Sequence, residues 1–100
     1  MERDKFIQML NKIDTDHLHT YLLNSENMIV PVSGVIYHIK ENRVVISSDQ
    51  ENFTIVSLKV IKELVTLTEP TTMVYYTTDD VHLKEITTHA VMDGWFVLLV

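Results

Sequence analysis

Met28-Ile29-Val30-Pro31-Val32-Ser33-Gly34-Val35-Ile36-Tyr37-His38-Ile39-Lys40 is the stretch on which the fold turns. Val35, Tyr37 and Ile39 alternate with Ile36 and His38, the two-residue period of a strand. Pro31 has no N–H to give to a ladder, so it suits a strand start or an edge. Branching at Cβ stiffens χ1 and fits a pleated surface better than a helix. Val, Ile and Thr number 13, 9 and 11 of the 100 residues, and of these 33 only four precede Met28. The chain therefore divides into a helical lead-in, 1–23, and a β-rich body, 28–100.

Upstream, Phe6, Met9, Leu10 and Ile13 recur at helical spacing, with Glu2 and Asp4 where a helix N-terminus favours anions. Asp14-Thr15-Asp16 ends that helix. Asp16 then caps an expected second helix from His17 to Leu23, with Leu18, Tyr21 and Leu22 on its apolar face. Asn24-Ser25-Glu26-Asn27 is a polar loop. Downstream, Glu41-Asn42 turns into a strand Arg43–Ser48 on which Val44 and Ile46 alternate. Asp49-Gln50-Glu51-Asn52 turns into a third strand, Phe53–Leu58, and Val60–Leu67 fits a helix or a strand. After the break at Glu69-Pro70-Thr71-Thr72, strands Met73–Thr77 and Val81–Thr88 are joined through Thr78-Asp79-Asp80. Asp93-Gly94 is a strong hairpin signal. It precedes Trp95-Phe96-Val97-Leu98-Leu99-Val100, a run apolar on both faces. Such a strand must lie mid-sheet, be covered on both sides, or dock on a partner. No internal repeat or linker is legible, so 1–100 reads as a single domain. The first apolar residues are interrupted by Lys, Gln and Asn, unlike a signal peptide, and no run approaches the ~20 apolar residues of a membrane span. The expected location is cytoplasmic.

Ser33-Gly34-Val35-Ile36-Tyr37-His38-Ile39, Val44-Val45-Ile46, Phe53-Thr54-Ile55-Val56-Ser57-Leu58 and Val60-Ile61-Lys62-Glu63-Leu64 together resemble a known layout. Over residues 28–67 the chain resembles the small SH3-like barrels of the Sm-like kind, and somewhat the YolD-like family. The resemblance implies a helical lead-in, a glycine (Gly34) that lets a long strand bend, two short hairpins and an apolar closing segment. The expected fold is thus α+β: a short N-terminal helical segment, then an antiparallel β-sheet curled into a small SH3-like barrel, with the rest of the chain as a C-terminal β extension. Sm-like RNA binders form a uridine pocket from two signature loops. Here those loops read Glu41-Asn42-Arg43 and Leu58-Lys59-Val60, neither signature is complete, and the RNA-binding residues are not carried over.

Eight Lys and Arg face fourteen Asp and Glu, a formal charge of −6. That argues against binding nucleic acid by neutralising phosphates. No Cys means no disulfide, thiolate nucleophile or zinc ribbon. Of the histidines His17, His19, His38, His82 and His89, the His17-x-His19 pair would point apart on a helix, so no metal site is expected. Asp79-Asp80 with Glu85, and Asp14 with Asp16, suit turns and caps better than acid–base work or calcium. Two glycines cannot build a nucleophile elbow or a phosphate loop. The expectation is a protein that is not an enzyme and carries no cofactor.

Aromatic residues leave the one open question. Most are expected to fill the core, but Tyr75-Tyr76 and Trp95-Phe96 are adjacent pairs, so each pair sends one ring to either face of its strand. Residues 51–100 carry three Lys against seven acids. The candidate partner-binding residues are therefore Glu69, Tyr75, Tyr76, Asp79, Asp80, Glu85, Asp93 and Trp95. They suit a small acidic regulatory protein of bacterial or bacteriophage type that acts by protein–protein contact, one concrete form being inhibition of a nucleic-acid-handling enzyme. The alternatives are an Sm-like oligomer that binds RNA, and a structural subunit of a homo-oligomer seamed through Trp95–Val100.

Overall fold

Phe6, Met9 and Leu10, the apolar stripe of the first expected helix, are buried on α1 (Arg3–Asn11). The structure is a computed structural model and describes residues 1–13, 18–23, 28–48, 54–79, 81–92 and 95–99. The expected cap at Asp14 and Asp16, the loop 24–27, the turns at 49–52 and 93–94, and Asp80 lie outside the described residues.

After α1 come β1 (His19–Leu23), β2 (Ile29–Pro31), β3 (Gly34–His38), β4 (Arg43–Ser47), α2 (Leu58–Thr66), β5 (Met73–Thr77), β6 (Lys84–Glu85), β7 (Thr88–Met92) and β8 (Trp95–Leu99). The class is α+β. The strands form two four-stranded sheets, ordered β2-β1-β8-β7 and β3-β4-β5-β6, and among the described residues no barrel closes. Each sheet is mixed, which corrects the expected single antiparallel sheet: β1 with β8 and β4 with β5 are parallel, and the flanking pairs are antiparallel.

Four other expectations change. His19–Leu23 is a strand and not a helix, because it lies between β2 and β8 and alternates Thr20 and Leu22 inward. The expected strand Phe53–Leu58 yields no regular element at Thr54–Val56, and Phe53 lies outside the described residues. Ser57 instead caps α2, its Oγ accepting from the Val60 N–H at 3.4 Å. That settles Val60–Leu67 as helical to Thr66, with Ile61 and Val65 buried, and places a helix inside the β-rich body. The expected strand Val81–Thr88 is broken, with pairing only at Lys84–Glu85 before β7 begins at Thr88. Met73–Thr77 and the edge position of Pro31 agree with expectation, whereas the hairpin between β3 and β4 turns over four residues, 39–42, and not over Glu41-Asn42 alone, because the ladder ends at the pair His38–Arg43.

The chain passes from one sheet to the other twice. It goes through Val32-Ser33 between β2 and β3 and through Ile86-Thr87 between β6 and β7, and Val32 and Ile86 are both core residues. Bent strands that switch sheets are how two packed sheets make their corners. The core joins the inner faces, Leu22, Val30, Phe96 and Leu98 from one sheet and Val44, Ile46, Val74 and Tyr76 from the other, with Phe6, Leu10, Ile61 and Val65 of the helices.

These connections repeat about a pseudo-twofold axis. α1-β1-β2-β3-β4 and α2-β5-β6-β7-β8 have the same order, and both helices are nine residues long. Glu2 bridges Met73 as Ser57 bridges His19. The Arg3 N–H donates to Thr72 O as the Leu58 N–H donates to Leu18 O. The Val74 N–H donates to Met1 O as the Thr20 N–H donates to Val56 O, and the Ser33 N–H to Ser47 O as the Thr87 N–H to Leu99 O. This is a repeat of architecture that no sequence repeat announces. It superposes Phe6 on Ile61, Leu10 on Val65, Tyr21 on Tyr75 and Val45 on Val97.

Candidate functional site

β8 follows from its composition: a strand apolar on both faces needs cover on both. Phe96 and Leu98 point into the core, Phe96 stacked on the His89 ring at 5.2 Å. Alternation sends Trp95, Val97 and Leu99 to the outer face. The parallel register sets His19, Tyr21 and Leu23 beside them, while Ile29 and Pro31 of β2 and Thr88 and Ala90 of β7 complete that face. None of these ten residues is an Asp, Glu, Lys or Arg. Val97 at the centre is buried, whereas Ile29 and Trp95 at the rim are 41% and 40% exposed. The Trp95 ring stacks on Tyr21, centroids 4.7 Å apart and planes 24° from parallel.

The expected binding residues divide between places. Trp95 belongs to this uncharged face. Tyr75 and Glu85 are register partners on the outer face of the other sheet, while Tyr76 is 3% exposed in the core, where burial pushes its phenol pKa up. Adjacent rings thus point to opposite faces, and each pair leaves one ring outside the core, as alternation requires. Glu69 and Asp79 are exposed at opposite ends of β5. Asp80 and Asp93 lie outside the described residues.

Asp79 organises its own loop. Its carboxylate accepts from the Val81 and His82 N–H groups at 2.9 and 2.8 Å and from Thr77 Oγ1 at 3.1 Å, and it meets His82 Nδ1 at 2.6 Å. The His82 ring, then the His82 and Val81 N–H groups, hold its pKa far below the ordinary carboxylate range. A carboxylate so engaged shapes a turn.

Sequence reasoning missed Tyr21, Leu23, Ile29 and Pro31. The signal is present, since an outer strand face of Trp95, Val97 and Leu99 requires apolar neighbours, but Leu18, Tyr21 and Leu22 give β1 a helical spacing. Among the described residues no three His, Asp or Glu side chains gather as a metal site, and no helix is long and apolar enough to cross a membrane. No protein-family model, curated protein or solved structure matches the chain.

Proposed function

We propose that this chain is a non-enzymatic binding and regulatory protein that docks a protein partner on the outer face of the β2-β1-β8-β7 sheet. The supporting observation is the stacked Tyr21–Trp95 pair on a face whose described residues include no Asp, Glu, Lys or Arg, in a chain of net charge −6. Aromatic rings at low entropy cost, set in a charge-depleted centre with a polar surround, are the composition of protein interface cores. The partner surface that fits is aliphatic or aromatic and uncharged at its centre.

The test is differential capture from the native host. The bait is the intact chain, its Trp95→Ala variant, and a variant with Glu69, Asp79, Asp80, Glu85 and Asp93 changed to their amides. A partner held by this face is lost with Trp95→Ala, with affinity down about 30-fold (about 2 kcal/mol) as for an aromatic anchor, and is retained by the amide variant. Trp95 is the single tryptophan, so its emission reports the contact directly. Retention by Trp95→Ala, together with loss by the amide variant, would replace this reading with docking through the acidic residues. A ring of five or more subunits in sedimentation would favour the Sm-like alternative instead.

A further inference from the structure

The outer face of the other sheet holds a cavity of about 560 Å³ between β3, β4 and the loop that follows β5. That volume is in the range of small-molecule sites. Its polar groups include Arg43, His38, Ser33, Ser47 and Thr77, and Ile36, Val45, Val81 and Leu83 supply its apolar lining. Among the described residues no acid lines it, although the chain carries fourteen.

The pseudo-twofold shows how the cavity arises. Where sheet β2-β1-β8-β7 has Trp95, Leu99, Leu23 and Thr88, this sheet has Arg43, Ser47, Thr77 and Gly34. Gly34 and Ser47 are direct register partners. A Cβ on Gly34 would lie 2.8 Å from Ser47 Oγ, so two small residues leave open the floor that Thr88 and Leu99 fill on the opposite side.

Arg43 gives the cavity its chemistry. Its Nε is buried without a hydrogen-bond partner, and among the described residues its guanidinium makes no ion pair. His38 is its direct cross-strand partner, so a second nitrogen donor shares the site. Burying a guanidinium donor unmatched is costly, and a carboxylate would meet its planar fork in a bidentate pair. The geometry points to a binding site for a small organic carboxylate, its charged end on Arg43 and its apolar part along Ile36, Val45, Val81 and Leu83.

Titration of the full chain with sodium octanoate, followed by amide chemical shifts, tests this site. Octanoate should bind with a dissociation constant below about 1 mM, with shifts centred on Gly34, His38, Ser47 and Thr77. Octanol lacks the charge and acetate lacks the tail, and each should bind at least tenfold more weakly. Arg43→Met should weaken octanoate at least tenfold, and Arg43→Lys should fall between. Ile36→Glu gives a second variant, since Ile36 is 56% exposed and the fold does not depend on it; a carboxylate there should also abolish binding. The site is overturned if octanol or acetate matches octanoate, if both variants bind octanoate as the parent does, or if the shifts centre on Tyr21 and Trp95 instead.

Discussion

Asp79 and His82 show a single residue fixing a loop through charge. Four donors converge on the Asp79 carboxylate, and they favour its anion over its acid, so its pKa in the fold lies below the unfolded value of about 3.9. The sign follows from linkage. The contribution is fully present above about pH 4 and declines as pH falls toward the folded value, because the unfolded chain takes up the proton first. In an NMR titration downward from about pH 5, below the range in which an imidazole titrates, the Val81 and His82 amides should hold their positions through the ordinary carboxylate value of about 3.9 and shift only below it. Asp79→Asn should remove that transition, and His82→Ala should move it up toward the ordinary carboxylate value. A parent chain titrating at the ordinary value would mean that the His82 contact does not persist in solution. Because Val81 and Leu83 line the cavity beside Arg43, acid that frees this loop should also loosen that wall.

Elements separate what one stretch of sequence can specify from what needs a distant partner. α1 was legible because Phe6, Met9 and Leu10 carry the whole signal within nine residues. β8 was legible as a strand, and it takes the mid-sheet place, one of the three that its apolar run left open. β1 was not: Leu18, Tyr21 and Leu22 satisfy a helical stripe, and alternation of Thr20 with Leu22 satisfies a strand equally well. The deciding neighbour is β8 at the other end of the chain, paired parallel in the register Tyr21 to Val97. α2 was ambiguous because Val60, Ile61, Val65 and Thr66 are β-branched, and its helical state rests on the Ser57 cap and an inward stripe. The binding face inherits that limit, since half of it is β1 and β2. For β8 the two faces predict different costs. Phe96→Ala, fully buried against His89, should destabilise by about 3–5 kcal/mol. Trp95→Ala should lose only its stack on Tyr21 and part of its burial, about 1 kcal/mol. Urea unfolding with an unchanged m-value measures both. The reverse order would place β8 one residue out of register, because a one-residue slip exchanges its faces.

The whole molecule uses one αββββ arrangement twice, with different chemistry on the two equivalent surfaces. One outer face is aromatic around Trp95 and the other is hollow around Arg43, while the shared core holds Phe6 with Ile61 and Leu10 with Val65 at equivalent places. A pseudo-twofold makes a demand on connectivity that neither half reveals alone. The segment 48–56 joins the end of β4 to the Ser57 cap of α2, and symmetry puts the end of β8 in the same relation to the Glu2 cap of α1. The gap from Leu99 to Glu2 is therefore one the chain already spans elsewhere. A circular permutant that begins at Thr54 and ends at Ser48, with Val100 joined to Met1 by a flexible linker of about seven residues, should fold to the same structure. Its stability should fall within about 2 kcal/mol of the parent, because the cut opens the boundary between repeats and leaves the described strand pairs and helices intact. Linking the termini converts the Met1 ammonium, which donates to Val74 O at 3.1 Å, to an amide N–H; the neighbouring bond from the Val74 N–H to Met1 O survives. Circular dichroism and urea unfolding read the outcome. A permutant opened instead inside α2, between Lys62 and Glu63, should be severely destabilised, since it splits the packing of Ile61 and Val65. If both permutants fold equally well, the repeat is a feature of the connections alone. If only the boundary permutant folds, the two units are what the core is assembled from.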